Sequence, residues 1–331
     1  MDPIKAYLIE EDPAGAVRAS FTTLTPAQLD PGDVVVRLRY ASVNYKDALA
    51  ATGKGRIIRR FPCVGGIDAV GTVVSSQSAR FQPGDAVVVH SHGFGVSHHG
   101  GYATQARVPA DWVNPIPAGL SALDAIAIGV AGYTAALAVD LMELNGVVPG
   151  RGRVLVNGAT GGVATIAIDI LAQRGHEVVA VTSKPAQAGY LKELGASEVI
   201  ASSDLAAGTR PLEKAQWAAA VDSLGGEPLA QLTRTMDKDG VIASIGNAAG
   251  HELVTTVMPF ILRGVRLIGV NSDNAPDLRE HVWHRLSTDL RPRHLGRIAE
   301  VRPFEALPDV MESVIEGRNR GRNVIAVDPA L

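Results

Sequence analysis

Cysteine is nearly absent from this chain of 331 residues, which contains Cys63 and no other. A single cysteine cannot form an intramolecular disulfide, and it cannot supply a zinc site built from several cysteines. A reducing compartment is therefore the natural setting, and we expect a cytoplasmic protein. Cys63 itself is expected to be a small buried apolar residue.

A charge excess of either sign is also lacking, since 31 Lys and Arg residues stand against 34 Asp and Glu residues, for a formal net charge of −3. Binding to a phosphate backbone requires a clear excess of clustered basic residues, so nucleic acid is not expected as a partner. Long hydrophobic runs are missing too. The longest apolar stretch, Ala125 to Val139, is too short to span a bilayer and predicts a buried helix. No amino-terminal segment has the pattern of a secretory signal, and no membrane association is expected.

The segment Arg153 to Gly175 has the pattern of a strand, a tight turn and a helix. The helix amino terminus of such a unit presents unpaired N–H groups, and small turn residues let a pyrophosphate approach the backbone. The turn therefore predicts a dinucleotide site, although an ordinary turn rich in small residues is the alternative. The predicted cofactor-binding residues of this unit are Thr160, Gly161, Gly162, Val163 and Ala164.

A second strand, Glu177 to Val181, is followed by Thr182, Ser183 and Lys184. Sites specific for NAD usually have an Asp or Glu at this distance from the turn, to bind the ribose 2′-hydroxyl. Two hydroxyls and a cation instead suit the 2′-phosphate of NADP, so these three residues are predicted to bind it. The alternative is a polar strand end leading into a helix that has Pro185 in its first turn.

Two kinds of pattern divide the chain. Short β-rich runs punctuated by Gly, Pro and Asp continue from Ile4 to about Pro117 and predict an irregular β-barrel. Alternating strands and helices follow to about Val270 and match a doubly wound parallel sheet, so the fold class is α/β. We predict a substrate domain over residues 1–124 and 302–331 and an NADP-binding domain over residues 125–301.

Several strings make the chain resemble the medium-chain dehydrogenase/reductase superfamily and, within its quinone oxidoreductase family, the zinc-free acryloyl-CoA reductase branch. They are Asn44-Tyr45-Lys46-Asp47, Thr52 to Pro62 and Thr255 to Val265, with shorter matches at Arg80-Phe81, Gly100-Gly101, Asp111-Trp112 and Arg210 to Lys214. The resemblance implies a GroES-like barrel domain joined to a Rossmann domain. It also implies transfer of a hydride from NADPH to an activated alkene.

Zinc is not expected. Where zinc-dependent relatives carry Gly-His-Glu, this chain has Gly66-Ile67-Asp68. The neighbouring His90, His92, His98 and His99 could suggest a metal site, but they lack the i, i+4 spacing of a helical ligand pair. The resemblance places them in a glycine-rich loop that lines the substrate cleft, and His92 and His99 are therefore predicted to contact substrate. The family commonly has tryptophan at both positions.

The resemblance also assigns the catalytic centre. Tyr45, at the junction of the two domains, is the predicted catalytic residue, and Asn44 and Tyr45 are both predicted to contact the cofactor; simple packing of Tyr45 under the cofactor is the alternative. Backbone at Gly269, Val270 and Asn271 is expected to lie against the nicotinamide, and Arg322, with Arg320, is a candidate for binding phosphate.

The basic segment Lys54 to Arg60 contains Lys54, Arg59 and Arg60, which are predicted to bind the phosphates of a coenzyme A thioester. A solvated charged surface is the alternative. Three functions stay open: an NADPH-dependent reductase of acryloyl-CoA or a similar short 2-enoyl-CoA, an NADPH:quinone or general alkene reductase, and an NADPH-binding protein without turnover. Val265 to Ile268 resembles an edge strand that pairs sheets across a dimer, so a homodimer is expected.

Overall fold

The computed structural model describes residues 3–205 and 208–328, which fall into two compact units. Unit 1 comprises Met1–Val130, Ala275–Glu280 and Leu295–Leu331, and unit 2 comprises Ala131–Asn274 and His281–His294. The domain boundaries predicted from the sequence stay a prediction, and each unit is described by itself.

The strands in chain order are β1 Ile4–Glu11, β2 Val17–Leu24, β3 Val34–Val43, β4 Cys63–Val64, β5 Asp68–Ser76, β6 Ala86–His90, β7 Gln105–Val108, β8 Val113–Pro115, β9 Arg153–Val156, β10 Glu177–Thr182, β11 Glu198–Ala201, β12 Trp217–Asp222, β13 Met236–Ser244, β14 Arg266–Gly269, β15 Ala299–Pro303 and β16 Arg322–Ala326. The α-helices are α1 Tyr45–Thr52, α2 Ala122–Leu144, α3 Gly162–Gln173, α4 Ala188–Glu193, α5 Gly226–Thr235, α6 Met258–Arg263, α7 Pro276–Ser287, α8 Leu295–Ile298 and α9 Leu307–Ile315.

Unit 1 is built on a sheet of order β15-β16-β3-β5-β6-β8, in which β7 also pairs with β3, and on a smaller sheet of order β2-β1-β4. The central strand β3 shows why the segment is extended, because Val34, Val36 and Leu38 are fully buried while the alternate Arg37 is exposed. It pairs antiparallel with both β5 and β16, so the carboxyl-terminal strand belongs to this unit.

Unit 2 contains a six-stranded parallel sheet of order β11-β10-β9-β12-β13-β14. Its strands are apolar on both faces, as in β9, where Val154, Leu155 and Val156 are at most 1% exposed. The strand order reverses between β9 and β12, and in such sheets ligands bind beyond the carboxyl ends of the strands at that point. The predicted doubly wound α/β fold is confirmed.

The predicted buried helix is longer than expected and is interrupted. By length and composition α2 could cross a membrane, but 94% of its apolar window is buried within the protein, so it is a core helix. Gly129 breaks the helical backbone, with φ 50° and ψ −158°. A Cβ atom there would lie 2.3 Å from Oδ2 of Asp68, so only glycine fits. Periodicity did not predict this break because the apolar run continues through it.

Candidate functional site

The predicted dinucleotide turn joins β9 to α3 in unit 2. Gly161 is the N-cap of α3, no side chain caps this helix in the described structure, and its first turn contains no acidic residue. The N–H groups of Gly162, Val163 and Ala164 therefore lie at an open helix amino terminus that favours an anion.

The turn itself has the shape that a phosphate requires. Gly158 has φ +57°, and a Cβ atom on Gly161 would lie 3.1 Å from the carbonyl oxygen of Gly158. A side chain at 161 would therefore crowd that carbonyl oxygen. Thr160, between them, is 6% exposed. The turn therefore fits the pyrophosphate of a dinucleotide.

The predicted 2′-phosphate residues follow the neighbouring strand β10. The N–H of Ala159 donates to the carbonyl oxygen of Val181 (3.0 Å), which ties the turn to the end of that strand. The hydroxyl oxygen of Thr182 accepts from the N–H of Lys184 (3.0 Å), while Ser183 is exposed. Partial burial lowers the pKa of Lys184. The structure thus places these three residues at the same sheet edge as the turn.

Asn157 and Asp222, a pair that sequence reasoning missed, connect the carboxyl ends of β9 and β12, where the strand order reverses. Nδ2 of Asn157, after β9, donates to Oδ1 of Asp222 at the end of β12 (2.5 Å). Oδ1 of Asn157 accepts from the N–H of Ser223 (2.7 Å). Asp222 also accepts from the N–H of Gly225 (3.1 Å). An Asn and an Asp that each end a predicted parallel strand were the available signal.

Gly269, Val270 and Asn271 lie at the carboxyl end of the edge strand β14. The N–H of Val270 donates to the carbonyl oxygen of Ser244 at the end of β13 (3.0 Å). Asn271 is exposed, and its Oδ1 accepts from the N–H of Asp273 (3.1 Å). These residues share the carboxyl edge of the sheet with the turn.

In unit 1, the Asn44-Tyr45-Lys46-Asp47 string begins helix α1. Asn44 is the N-cap of α1, and Oδ2 of Asp47 accepts from both the N–H (2.9 Å) and Nδ2 (3.0 Å) of Asn44. The reciprocal cap could have been recognised from the Asn-x-x-Asp spacing. Tyr45 is the first helical residue and is 41% exposed. Its side chain is therefore held at a fixed helix terminus while remaining accessible.

A buried polar cluster lies beneath this helix terminus. The guanidinium of Arg322, 2% exposed, donates to Oδ1 of Asn44 (2.7 Å), to Oγ of Ser42 (2.5 Å) and to the carbonyl oxygen of Ala127 (3.2 Å), and it pairs with Asp68 (3.4 Å). These contacts occupy Arg322 inside unit 1. Direct contact of Arg322 with a cofactor phosphate stays a prediction.

Asp68 completes the cluster at the break in α2. Its Oδ2 accepts from the N–H of Val130, the first residue after Gly129 (2.8 Å). The Asp68 carboxylate therefore caps the amino terminus of the second half of the helix. Arg322 donates to the carbonyl oxygen of Ala127, near the carboxyl end of the first half. The helix break is stabilised by this ion pair.

Asp47 is the carboxyl group of the cluster whose pKa is raised towards neutrality. Burial, and next the charge of Asp68, raise the pKa of Asp47 to about 7, although hydrogen bonds from Asn44 and from the N–H of Ile67 oppose the shift. Asp47 therefore holds a proton in the folded protein at pH values where it is ionised in the unfolded chain.

We expect the free energy of unfolding to fall as the pH rises from about 4 towards about 7, because the folded state binds an extra proton at Asp47 in this interval. The slope from this group is at most about 1.4 kcal/mol per pH unit. Urea denaturation across this range should show a flatter profile for Asp47→Asn. The matched substitution Asp277→Asn, at an exposed acid in the first turn of α7, should keep the wild-type slope.

The predicted substrate residues are partly brought together by Asp30, which sequence reasoning missed. Its carboxylate pairs with Arg60 (2.5 Å) and accepts from the N–H of His99 (2.6 Å). The N–H of Arg59 donates to the carbonyl oxygen of Val96 in the histidine loop (2.9 Å). The basic segment and the loop therefore form one surface. On it the side chains of Arg59 and Lys54 are exposed.

The two predicted substrate histidines differ in exposure. His99 is 8% exposed, and its Nδ1 accepts from the N–H of Val64 (3.0 Å). Mainly through burial, its pKa is lowered, so it is a neutral ring that presents little surface. His92 is half-buried and stacks on Trp112, with ring centroids 5.7 Å apart. Within residues 3–205 and 208–328, no three His, Cys, Asp or Glu side chains group as a metal site would require.

Known proteins resemble this chain over nearly its whole length. Residues 162–288 match the family described as Zinc-binding dehydrogenase, and residues 30–118 match the Alcohol dehydrogenase GroES-like domain. YhfP of Bacillus subtilis, named a quinone oxidoreductase, is 44% identical over 98% of this chain and 99% of its own. Acrylyl-CoA reductase AcuI of Ruegeria pomeroyi is 40% identical over 98% of this chain and 99% of its own.

Solved structures agree with these relatives. YhdH of Escherichia coli, crystallised with bound NADPH, is 44% identical, has a TM-score of 0.95 and covers 98% of this chain and 100% of its own. The structure of YhfP from Bacillus subtilis contains NAD and has a TM-score of 0.95. It is 42% identical and covers 98% of this chain and 100% of its own. The predicted resemblance and the GroES-like domain are confirmed.

Proposed function

This chain belongs to the medium-chain dehydrogenase/reductase superfamily and, within it, to the family that includes YhfP and AcuI, and we propose that it is an NADPH-dependent reductase of activated alkenes. The preferred substrate is a short 2-enoyl-CoA such as acryloyl-CoA, which would yield propanoyl-CoA. The observation that carries the cofactor assignment is the uncapped amino terminus of α3 behind a glycine turn. The substrate assignment is supported by the similarity to AcuI.

The residues at the turn fit NADPH. The N–H groups from Gly162 to Ala164 would bind the pyrophosphate, and Thr182, Ser183 and Lys184 would bind the 2′-phosphate. Partial burial of Lys184 strengthens its attraction for a phosphate, because less water screens the charge. Backbone from Gly269 to Asn271 would lie against the nicotinamide.

When bound, NADPH supplies the hydride that adds to the β-carbon of the alkene. A proton must also reach the α-carbon, and the hydroxyl of Tyr45 is the proposed donor. Asn44 and Asp47 hold Tyr45 at the start of α1, and Arg322 fixes the amide of Asn44 from below. The hydrogen-bonding capacity of the Asn44 side chain is used in this positioning.

Coenzyme A would be held on the surface that Asp30 organises. Lys54 and Arg59 would offer exposed cations to its phosphates, Arg60 would contribute while paired with Asp30, and His92 and His99 would shape the neighbouring wall. Quinone reduction is the second candidate, and the name of YhfP favours it. A cytoplasmic location without nucleic-acid or membrane partners completes the proposal.

The test is NADPH oxidation by the purified chain with acryloyl-CoA, crotonyl-CoA and 1,4-benzoquinone in parallel. The loss of nicotinamide absorbance measures the rate of oxidation. We expect the highest kcat/KM with acryloyl-CoA. Turnover of benzoquinone alone would establish the second candidate instead. NADPH binding without any turnover would show that the chain is a cofactor-binding protein and overturn both.

Lys184→Ala should raise the KM for NADPH roughly 10- to 100-fold, because a charge-assisted hydrogen bond to phosphate contributes about 1.5–3 kcal/mol. The KM for NADH, which lacks this phosphate, should change little. Steady-state kinetics with both cofactors measure the two values. Lys192→Ala, at an exposed lysine in the last turn of α4, is the matched control. An equal loss with both cofactors would contradict the assignment of the 2′-phosphate.

We also propose that the chain forms a homodimer through β14. This strand is at the edge of the sheet, and unpaired edge strands are prone to pairing. An apolar patch lies on α6 and the segment before it, where Val254, Val257, Ile261 and Leu262 are 70%, 64%, 71% and 59% exposed. Contiguous exposed apolar surface is typical of an interface, and a second copy would both cover it and pair the edge.

Ile261→Asp should convert the dimer to a monomer, because the substitution places a charge in the centre of the apolar patch. Sedimentation equilibrium would measure the mass. Val148→Asp, at a valine that is 55% exposed outside the patch, should leave the dimer intact. A wild-type monomer at micromolar concentration would refute the proposed interface.

A further inference from the structure

Arg279 is a buried arginine that no step of the proposed reaction uses. It lies in the first half of α7 and is 0% exposed. Its Nη1 donates to the carbonyl oxygen of Asp111 (2.9 Å) and its Nη2 to that of Trp112 (2.9 Å). Nη1 also lies 2.6 Å from Nε2 of His92. Arg279 thus links His92 to the backbone just before β8.

The contact with Arg279 determines the protonation state of His92. A guanidinium has only donors, so Nε2 of His92 must present a lone pair to Nη1. His92 is therefore neutral, with its proton on Nδ1. A proton added to Nε2 would set two N–H donors and two positive charges against each other, and the contact could not persist.

The backbone around His92 also needs to be held. Ser91 and His92 have φ values of 68° and 54°, so two successive residues other than glycine occupy the left-handed region. Such conformations persist only where surrounding contacts impose them. The bond from Arg279 and the stacking on Trp112 are two contacts on the His92 side chain that do so. Loss of the first would let the backbone relax.

We propose that Arg279 is a positioning residue that holds the loop from Ser91 to His99 through neutral His92, and that uptake of a proton by His92 releases the loop. The inference rests on the proposed function in one respect, namely that this loop is a wall of the substrate site. Substrate binding would then weaken on acidification.

Two other titratable groups lie near Arg279, namely His90 and Asp111, and neither explains a pH-dependent change at Arg279 as His92 does. His90 is fully buried, and burial, followed by the charges of Arg279 and His92, holds its pKa well below the usual value. The Asp111 carboxylate is largely exposed and pairs with Arg80 (2.9 Å).

A second histidine, His98, also contacts Trp112. His98 packs edge-on against Trp112, with ring centroids 5.0 Å apart, and its nitrogens face the carbonyl oxygens of His99 and Pro31 (3.0 and 3.1 Å). The Asp30 carboxylate is engaged with the N–H of His99 and, as described above, with the basic segment. His98 is therefore a second histidine that could report on Trp112, and the test must separate it from His92.

We call the contact between Arg279 and neutral His92 the latch. Tryptophan fluorescence tests it in the absence of substrate. In wild type we expect a step in emission as the pH falls from about 8 to about 5, since His92 stacks on Trp112. His92→Gln should abolish the step, because an amide oxygen accepts from Arg279 at every pH in this range. His98→Gln should retain it. Identical curves for wild type and His92→Gln, or loss of the step in His98→Gln alone, would overturn the latch.

The link to substrate is tested separately by the KM for acryloyl-CoA over the same pH range. We expect a five- to tenfold rise on acidification in wild type, within the usual range of coupling between sites, and a smaller rise in His92→Gln. A fluorescence step without this difference in KM would overturn the link to substrate. A step in a chain that turns over no alkene would contradict the proposed function and leave the latch standing.

Discussion

Tyr45→Phe should lose about a hundredfold or more in kcat for acryloyl-CoA while keeping its fold and its affinity for NADPH. The expected loss follows from the contribution of a positioned proton donor, roughly 10²–10⁴ in rate. Tyr45 is 41% exposed, so removal of its hydroxyl should disturb packing little. Stopped-flow kinetics with saturating NADPH would measure the hydride-transfer step directly.

The same experiment separates catalysis from packing. Tyr40→Phe, at a half-buried tyrosine on β3, is the matched control and should keep wild-type kinetics. If Tyr45→Phe is also unimpaired, while Tyr45→Ala raises the KM for NADPH, then Tyr45 only packs against the cofactor. Solvent would in that case deliver the proton.

Arg322→Met should lower the free energy of unfolding by about 3–5 kcal/mol, because it leaves a buried carboxylate without its cation. Asp68 is 0% exposed, so water cannot replace the lost cation. The variant also loses the hydrogen bonds to Ser42 and Asn44. Urea denaturation would measure the loss of stability.

Two further variants test the physical reason. Arg322→Met combined with Asp68→Asn should be less destabilised than the sum of the single changes, because no buried charge is then left unpaired. Arg302→Met removes an exposed ion pair with Glu300 and should cost about 0–1 kcal/mol. Strict additivity of the double variant would show that the Asp68 charge is not what Arg322 stabilises.

Local patterns carried most of the fold. The strand, turn and helix predicted over Arg153 to Gly175 are observed as β9, the glycine turn and α3, and the predicted strand Glu177 to Val181 is observed as β10. Apolar runs and glycine turns act over a few residues, so their conformational preferences can be read without knowing the rest of the chain. The two-residue strand β4 escaped prediction because its pairing with β1, rather than local propensity, makes it a strand.

The sequence by itself determined the class of fold, the dinucleotide turn and the polar residues that follow β10, because each depends on contiguous residues. Only the tertiary structure decided that Arg322 bonds to Asn44, 278 positions away, and that Arg279 bonds to His92, 187 positions away. The protonation of Asp47 was likewise decided there, since burial and the charge of Asp68 determine it. No local pattern reports which distant donor or charge will lie beside a given side chain.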